Sequence, residues 1–88
     1  MYQVGGVEID LEVGPGRIAG RLRMLGQVTT SDPDLSQGAW VIVDGPSGHL
    51  ESEIGDTGEF SFDGLAPGVH RLEIGLTYDL IEIPALQI

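Results

Sequence analysis

From Val7 to Val13 apolar and acidic side chains alternate without interruption, Val7, Ile9, Leu11 and Val13 against Glu8, Asp10 and Glu12. Successive side chains of an extended chain point to opposite faces, so the stretch predicts a strand with one face for a core and one for solvent. The pattern returns at Phe60 and Phe62 and again at His70, Leu72 and Ile74, while no sustained 3.6-residue pattern occurs anywhere. The chain is therefore expected to be all-β, an antiparallel β-sandwich of about seven strands with negligible helix.

The remaining strands are read between turn signals. Arg17 to Leu25 alternates Ile18, Leu22 and Met24 with Arg17, Arg21 and Arg23, with Gly20 completing the apolar face. Paired with the first strand, it would set Asp10 against Arg21, Glu8 against Arg23 and Ile9 against Leu22, neutralising charge across the polar face. Gln27 to Gly38 has no pattern and reads as the longest loop. Ala39 to Asp44 and His49 to Ile54 flank the turn Gly45-Pro46-Ser47-Gly48. Counting back from that turn sets Asp44 against His49, Val43 against Leu50, Val41 against Ser52 and Ala39 against Ile54. The same register puts Trp40 opposite Glu53 and Ile42 opposite Glu51, on the outer face. Phe60 and Phe62 are core candidates, Leu65 plugs the turn from Asp63 to Gly68, Gly75 is read as a bulge, and Pro84, in the final segment 80–88, suits an edge strand or a strand that ends there.

Residues 52–74, from Ser52-Glu53-Ile54 to Leu72-Glu73-Ile74, resemble the carboxypeptidase regulatory-like domains, relatives of the transthyretin-like (prealbumin-like) and Cna B-type sandwiches. The matching positions are Asp56, Gly58, Phe60, Phe62, Leu65, Pro67, Gly68, Leu72 and Ile74. Gly16 to Leu22 looks like the family's first strand and Gly38-Ala39-Trp40-Val41 like its Gly-Ala entry. His70 departs from the family, which usually has tyrosine there. The whole chain also looks, more loosely, like C-terminal β-sandwich modules of bacterial anti-sigma-factor-like proteins, a likeness that implies the alternative role of a regulatory module in a sigma or anti-sigma signalling protein. The resemblance implies a non-catalytic accessory or protein-interaction module; fold analogy does not choose among such roles.

Eighty-eight residues make one domain, 1–88, with residues 1–6 read as a linker remnant if the chain is an excised piece. Hydrophobic residues at 41% are too many for a disordered tail. Without cysteine there is no disulfide, thiolate zinc site or cysteine nucleophile, and the redox compartment stays open. The formal net charge of −10 disfavours nucleic acid and anionic membrane surfaces as partners. No signal peptide or membrane-spanning stretch is evident, so a soluble chain of unknown compartment is expected. Lysine and asparagine are absent, which suggests a GC-rich bacterial source and excludes the Lys-Asn isopeptide bond of Cna B-type relatives.

No catalytic set converges in the sequence. The nearest Ser and His, Ser47 and His49, share a turn without a nucleophile elbow. His49 and His70 have opposite facings and should not share a metal, and no cofactor or metal site is expected. Asp32, Asp34, Asp56 and Glu59 are loop oxygen donors without EF-hand spacing, read as turn caps. The interaction candidates are Trp40 and Ile42, because an outward aromatic-aliphatic pair favours an interface. Two other readings stand beside this: a terminal strand or loop covers Trp40, or the ring is a carbohydrate platform. Expected partners are a protein or a neighbouring domain of a longer chain, with weak self-association through the Trp40 face.

Overall fold

In a computed structural model, residues 2–4, 6–30, 38–46, 48–77 and 80–88 are described here, Val4 by its backbone alone. They form eight strands: β1 (Tyr2–Val4), β2 (Val7–Pro15), β3 (Leu22–Thr30), β4 (Trp40–Gly45), β5 (Gly48–Glu53), β6 (Glu59–Leu65), β7 (Val69–Gly75) and β8 (Leu80–Gln87). The described residues contain no helix. Two four-stranded antiparallel sheets result, in the orders β1-β2-β3-β6 and β5-β4-β7-β8. The alternation thus built what it implied, a β-sandwich, with one strand more than the seven expected. The extra strand is β1, which lies within the segment read as a linker and pairs Tyr2 with Ile9.

The core is the sum of the inward faces. Val7 and Ile9 of β2, Met24 and Val28 of β3, and Phe60, Phe62 and Leu65 of β6 meet Val41 and Val43 of β4, Leu72 and Ile74 of β7, and Ile81 and Ile83 of β8. Ala39 and Ile54 are buried as well, and the Ile54 N–H donates to the Ala39 carbonyl at 3.0 Å. The rings of Phe60 and Phe62 pack edge to face with centroids 6.2 Å apart, the arrangement favoured by aromatic quadrupoles. Phe60 also lies over Gly26, its cross-strand partner, where a Cβ would overlap the ring. Gly58 has φ of +82° and its carbonyl accepts from the Val28 N–H at 2.8 Å; an L side chain there would be strained and would run into the Val28 backbone.

Several expectations are corrected. Arg17 to Arg21 is a turn, not the start of a strand, closed by Gly16 N–H to Arg21 O and Arg21 N–H to Ile18 O, both 3.0 Å, with Gly20 at φ +79°. Ile18 is consequently 61% exposed. The strand is displaced to Leu22–Thr30, so Gln27 to Thr30, expected as loop, are paired, and Ile9 faces Val28. Glu8 and Asp10 face Thr29 and Gln27, and the expected pairs with Arg23 and Arg21 do not form. The reason is parity: sliding Ile9 from Leu22 to Val28 keeps every side chain on its own face, so the hydrophobic pattern permits both registers and the turn decides. Val13, assigned to the core, is 39% exposed because β1 spans only Val7 to Ile9 and leaves the rest of β2 an edge. The bulge expected at Gly75 lies instead where β8 carries an extra residue between Ile83 and Leu86, opposite His70 to Leu72. Pro84 sits in that bulge on an edge strand, where its missing N–H breaks no ladder bond.

Candidate functional site

The β4–β5 register is the one expected, Trp40 with Glu53, Ile42 with Glu51 and Asp44 with His49. Because Val41 and Val43 fill the core, their neighbours Trp40, Ile42 and Asp44 point out of the sandwich. On the other side of β4, Trp40 pairs with Gly75, Ile42 with Glu73 and Asp44 with Arg71, and β8 continues two of these rows with Leu80 and Glu82. The outer face of this sheet therefore carries a short apolar ridge, Trp40 and Ile42, flanked by carboxylates on both sides.

Trp40 is 39% exposed and Ile42 is half-buried. The indole lies over Gly75, where a Cβ would overlap its Cε2, Cζ2 and Nε1 atoms. Glycine at this point of β7 lets the ring lie down on the sheet and turn a face to solvent. Toward β5 a shallow groove runs along the ridge, lined by Trp40, Val41, Ile42, Glu51, Ser52 and Glu53. Its floor is apolar and its wall is acidic.

The charges around the groove are only partly matched. Arg71 makes ion pairs with Glu73 on its own strand and Glu82 on β8. His49 sits between two carboxylates, Nδ1 to Asp44 Oδ1 at 2.6 Å and Nε2 to Glu51 Oε1 at 2.8 Å. Both bonds favour the imidazolium, Glu51 most and then Asp44, and hold the His49 pKa above its ordinary value of 6.5. Among the described residues Glu53 has no ion-pair partner, and it is the carboxylate directly opposite Trp40.

His70 faces inward, as expected, and is 1% exposed. Its Nδ1–H donates to the Gly68 carbonyl at 3.1 Å, and its ring lies against Gly45. Its Nε2 is buried and has no hydrogen-bond partner. Among the described residues no three His, Asp or Glu side chains converge on a point that could hold a metal ion. Asp32 and Asp34, and Ser47 beside His49, lie outside the described residues. No helix among the described residues is long and apolar enough to cross a membrane.

Trp40 and Ile42 stand where the pairing arithmetic put them. The seat of the indole was not readable, because Gly75 is 35 positions away and acquires meaning only through the β4–β7 register. Likewise Arg71, which holds Glu73 and Glu82, reaches this face through a pairing between strands distant in sequence. The double clamp on His49 was within reach, since Asp44 opposes it and Glu51 follows two residues later on the same face. The chain matches no protein-family model, no curated protein and no solved structure.

Proposed function

We propose that this chain is a non-catalytic accessory module, of the carboxypeptidase regulatory-like, transthyretin-like kind, that engages a protein partner or neighbouring domain through the outer face of β4 and β5. The observation that carries this reading is the exposed Trp40 indole lying over Gly75 beside Ile42. An indole seated on the backbone of the neighbouring strand has less rotamer entropy to lose on binding, which suits it to anchor an interface. The family resemblance is supported by the work its residues do here: Gly58 takes a positive φ, Phe60 and Phe62 fill the core, and Leu65 is fully buried.

A carbohydrate platform is the second reading, favoured by the same exposed ring face. One experiment separates the two. A photo-crosslinking benzoylphenylalanine replaces Ile42, or as control Ser61 on the outer face of the other sheet, in the parent chain expressed in its own cell. Adducts are identified by mass spectrometry. Protein adducts from position 42 and none from position 61 are the expected outcome. Equal labelling from both positions, or none from position 42, refutes the reading. Saturable oligosaccharide binding that is lost in Trp40→Ala replaces it with the sugar platform.

A further inference from the structure

The arginines of this acidic chain are not spread over its surface. Three of the four, Arg17, Arg21 and Arg23, fall within seven residues around the β2–β3 turn, and all three are exposed. Among the described residues none of them makes an ion pair, although the chain holds 14 acidic residues. Ile18, beside Arg17 in the turn, is 61% exposed, the most exposed large apolar residue described. The turn is nevertheless well built: Asp63 Oδ1 accepts from the Arg17 N–H at 3.3 Å and the Gly64 N–H at 2.8 Å, fixing it to the end of β6. It is a basic, apolar-tipped projection on a defined base.

The Trp40 groove is its chemical complement, an apolar floor with an acidic wall at Glu51 and Glu53. The two lie at opposite ends of the molecule. β6 begins at Glu59, beside Gln27, and ends at Leu65, beside Leu22, where the turn emerges. β5 ends at Glu53 and joins the start of β6 through residues 54–58, where Gly55 N–H bonds Glu59 O. The groove thus belongs to the Glu59 end and the projection to the Leu65 end of a body 38 × 22 × 21 Å in extent.

We propose that the groove receives the Arg17–Arg23 turn of a second copy of this chain, Ile18 against Trp40 and Ile42 and the guanidinium groups against Glu51 and Glu53. This rests on the reading of the Trp40 face as an interaction surface and names its partner. A contact between two different patches at opposite ends is heterologous, so it propagates head to tail and does not stop at two. Guanidinium groups suit the site because they stack on an indole face and pair with carboxylates. At physiological ionic strength a screening length of about 8 Å mutes the repulsion between the bodies of two acidic copies while leaving the touching pairs intact. One turn in one shallow groove is a small contact, so association is weak, with Kd on the order of 0.1–1 mM.

Sedimentation velocity over a concentration series up to about 1 mM, near that Kd, tests this with two variants, Trp40→Ala and the double variant Arg17→Glu/Arg21→Glu. The wild-type weight-average mass is expected to rise with concentration past the dimer, and each variant alone is expected to stay monomeric. Mixed one to one, the variants are expected to form a dimer and nothing larger, since each retains one intact surface; that recovery also shows both are folded. A wild-type chain that stays monomeric overturns the inference, as does a turn variant that associates like wild type or a mixture that fails to pair. Monomers here with foreign-protein adducts from position 42 would leave the accessory-module reading standing alone, whereas monomers without adducts would remove both.

Discussion

Replacing Gly75 with alanine isolates the seat of Trp40. The added Cβ would occupy the space of the indole Cε2, Cζ2 and Nε1 atoms, so the ring must lift from β7. With 39% of its surface exposed, an indole able to bury about 200 Å² keeps roughly 120 Å² covered, worth ~3 kcal/mol at ~25 cal/mol per Å². Losing half of that contact costs ~1.5 kcal/mol. Alanine recovers ~0.5–1 kcal/mol of the backbone entropy that glycine gives up in a strand. The net loss is ~0.5–1 kcal/mol, a fall in Tm of about 2–8 °C for a domain of this size. In a Trp40→Ala background no ring is left to displace, and the same substitution should stabilise by ~0.5 kcal/mol or more. Urea denaturation of the four chains of this double-mutant cycle, followed by far-UV circular dichroism, should give a coupling energy of ~1.5 kcal/mol. Equal effects of Gly75→Ala in both backgrounds would refute the argument that the glycine exists to seat the ring.

Two further outcomes follow from the core and the charge network. Gly26→Ala drives a Cβ into the Phe60 ring inside the closed core, where the ring cannot swing to solvent as Trp40 can; a loss of ~1–3 kcal/mol in urea melts is expected. His49 contributes stability through its imidazolium, because Glu51 and Asp44 raise its folded-state pKa above 6.5. That contribution is complete below about pH 6.5, the unfolded value, and disappears as pH rises through the raised folded value. The difference in Tm between wild type and His49→Gln should therefore be larger at pH 6 than at about pH 8, and a difference independent of pH would show that the clamp does not hold a proton.

What could be read from the residues, and what could not, divides along sequence distance. The β4–β5 pairing was legible because a four-residue turn with glycine at both ends ties Asp44 to His49, and everything on that hairpin follows by counting. Trp40 was placed on the outer face by that counting alone. The β2–β3 pairing was misread because Gly14-Pro15-Gly16 looks like a complete turn, whereas the chain turns later, through Arg17 to Arg21. Since the wrong register kept Ile9 opposite an apolar partner, no side-chain preference exposed the error. It also hid the basic turn, since arginines assigned to a strand face were expected to be neutralised by Glu8 and Asp10. β1 leaves no signal in the sequence because three residues are too few for a period to show. Gly75 stands out in the sequence as a glycine within a strand, yet its use depends on β4 and β7 being neighbours, a tertiary fact.

The single tryptophan lies on the surface with one face open to solvent. Its emission spectrum, recorded with acrylamide quenching on a sample dilute enough to be monomeric, tests this directly. An exposed ring gives red-shifted emission that acrylamide quenches, and a second copy covering it adds a blue shift as concentration rises. Blue emission that resists quenching and does not change on dilution would place Trp40 in the core and rule out the exposed face.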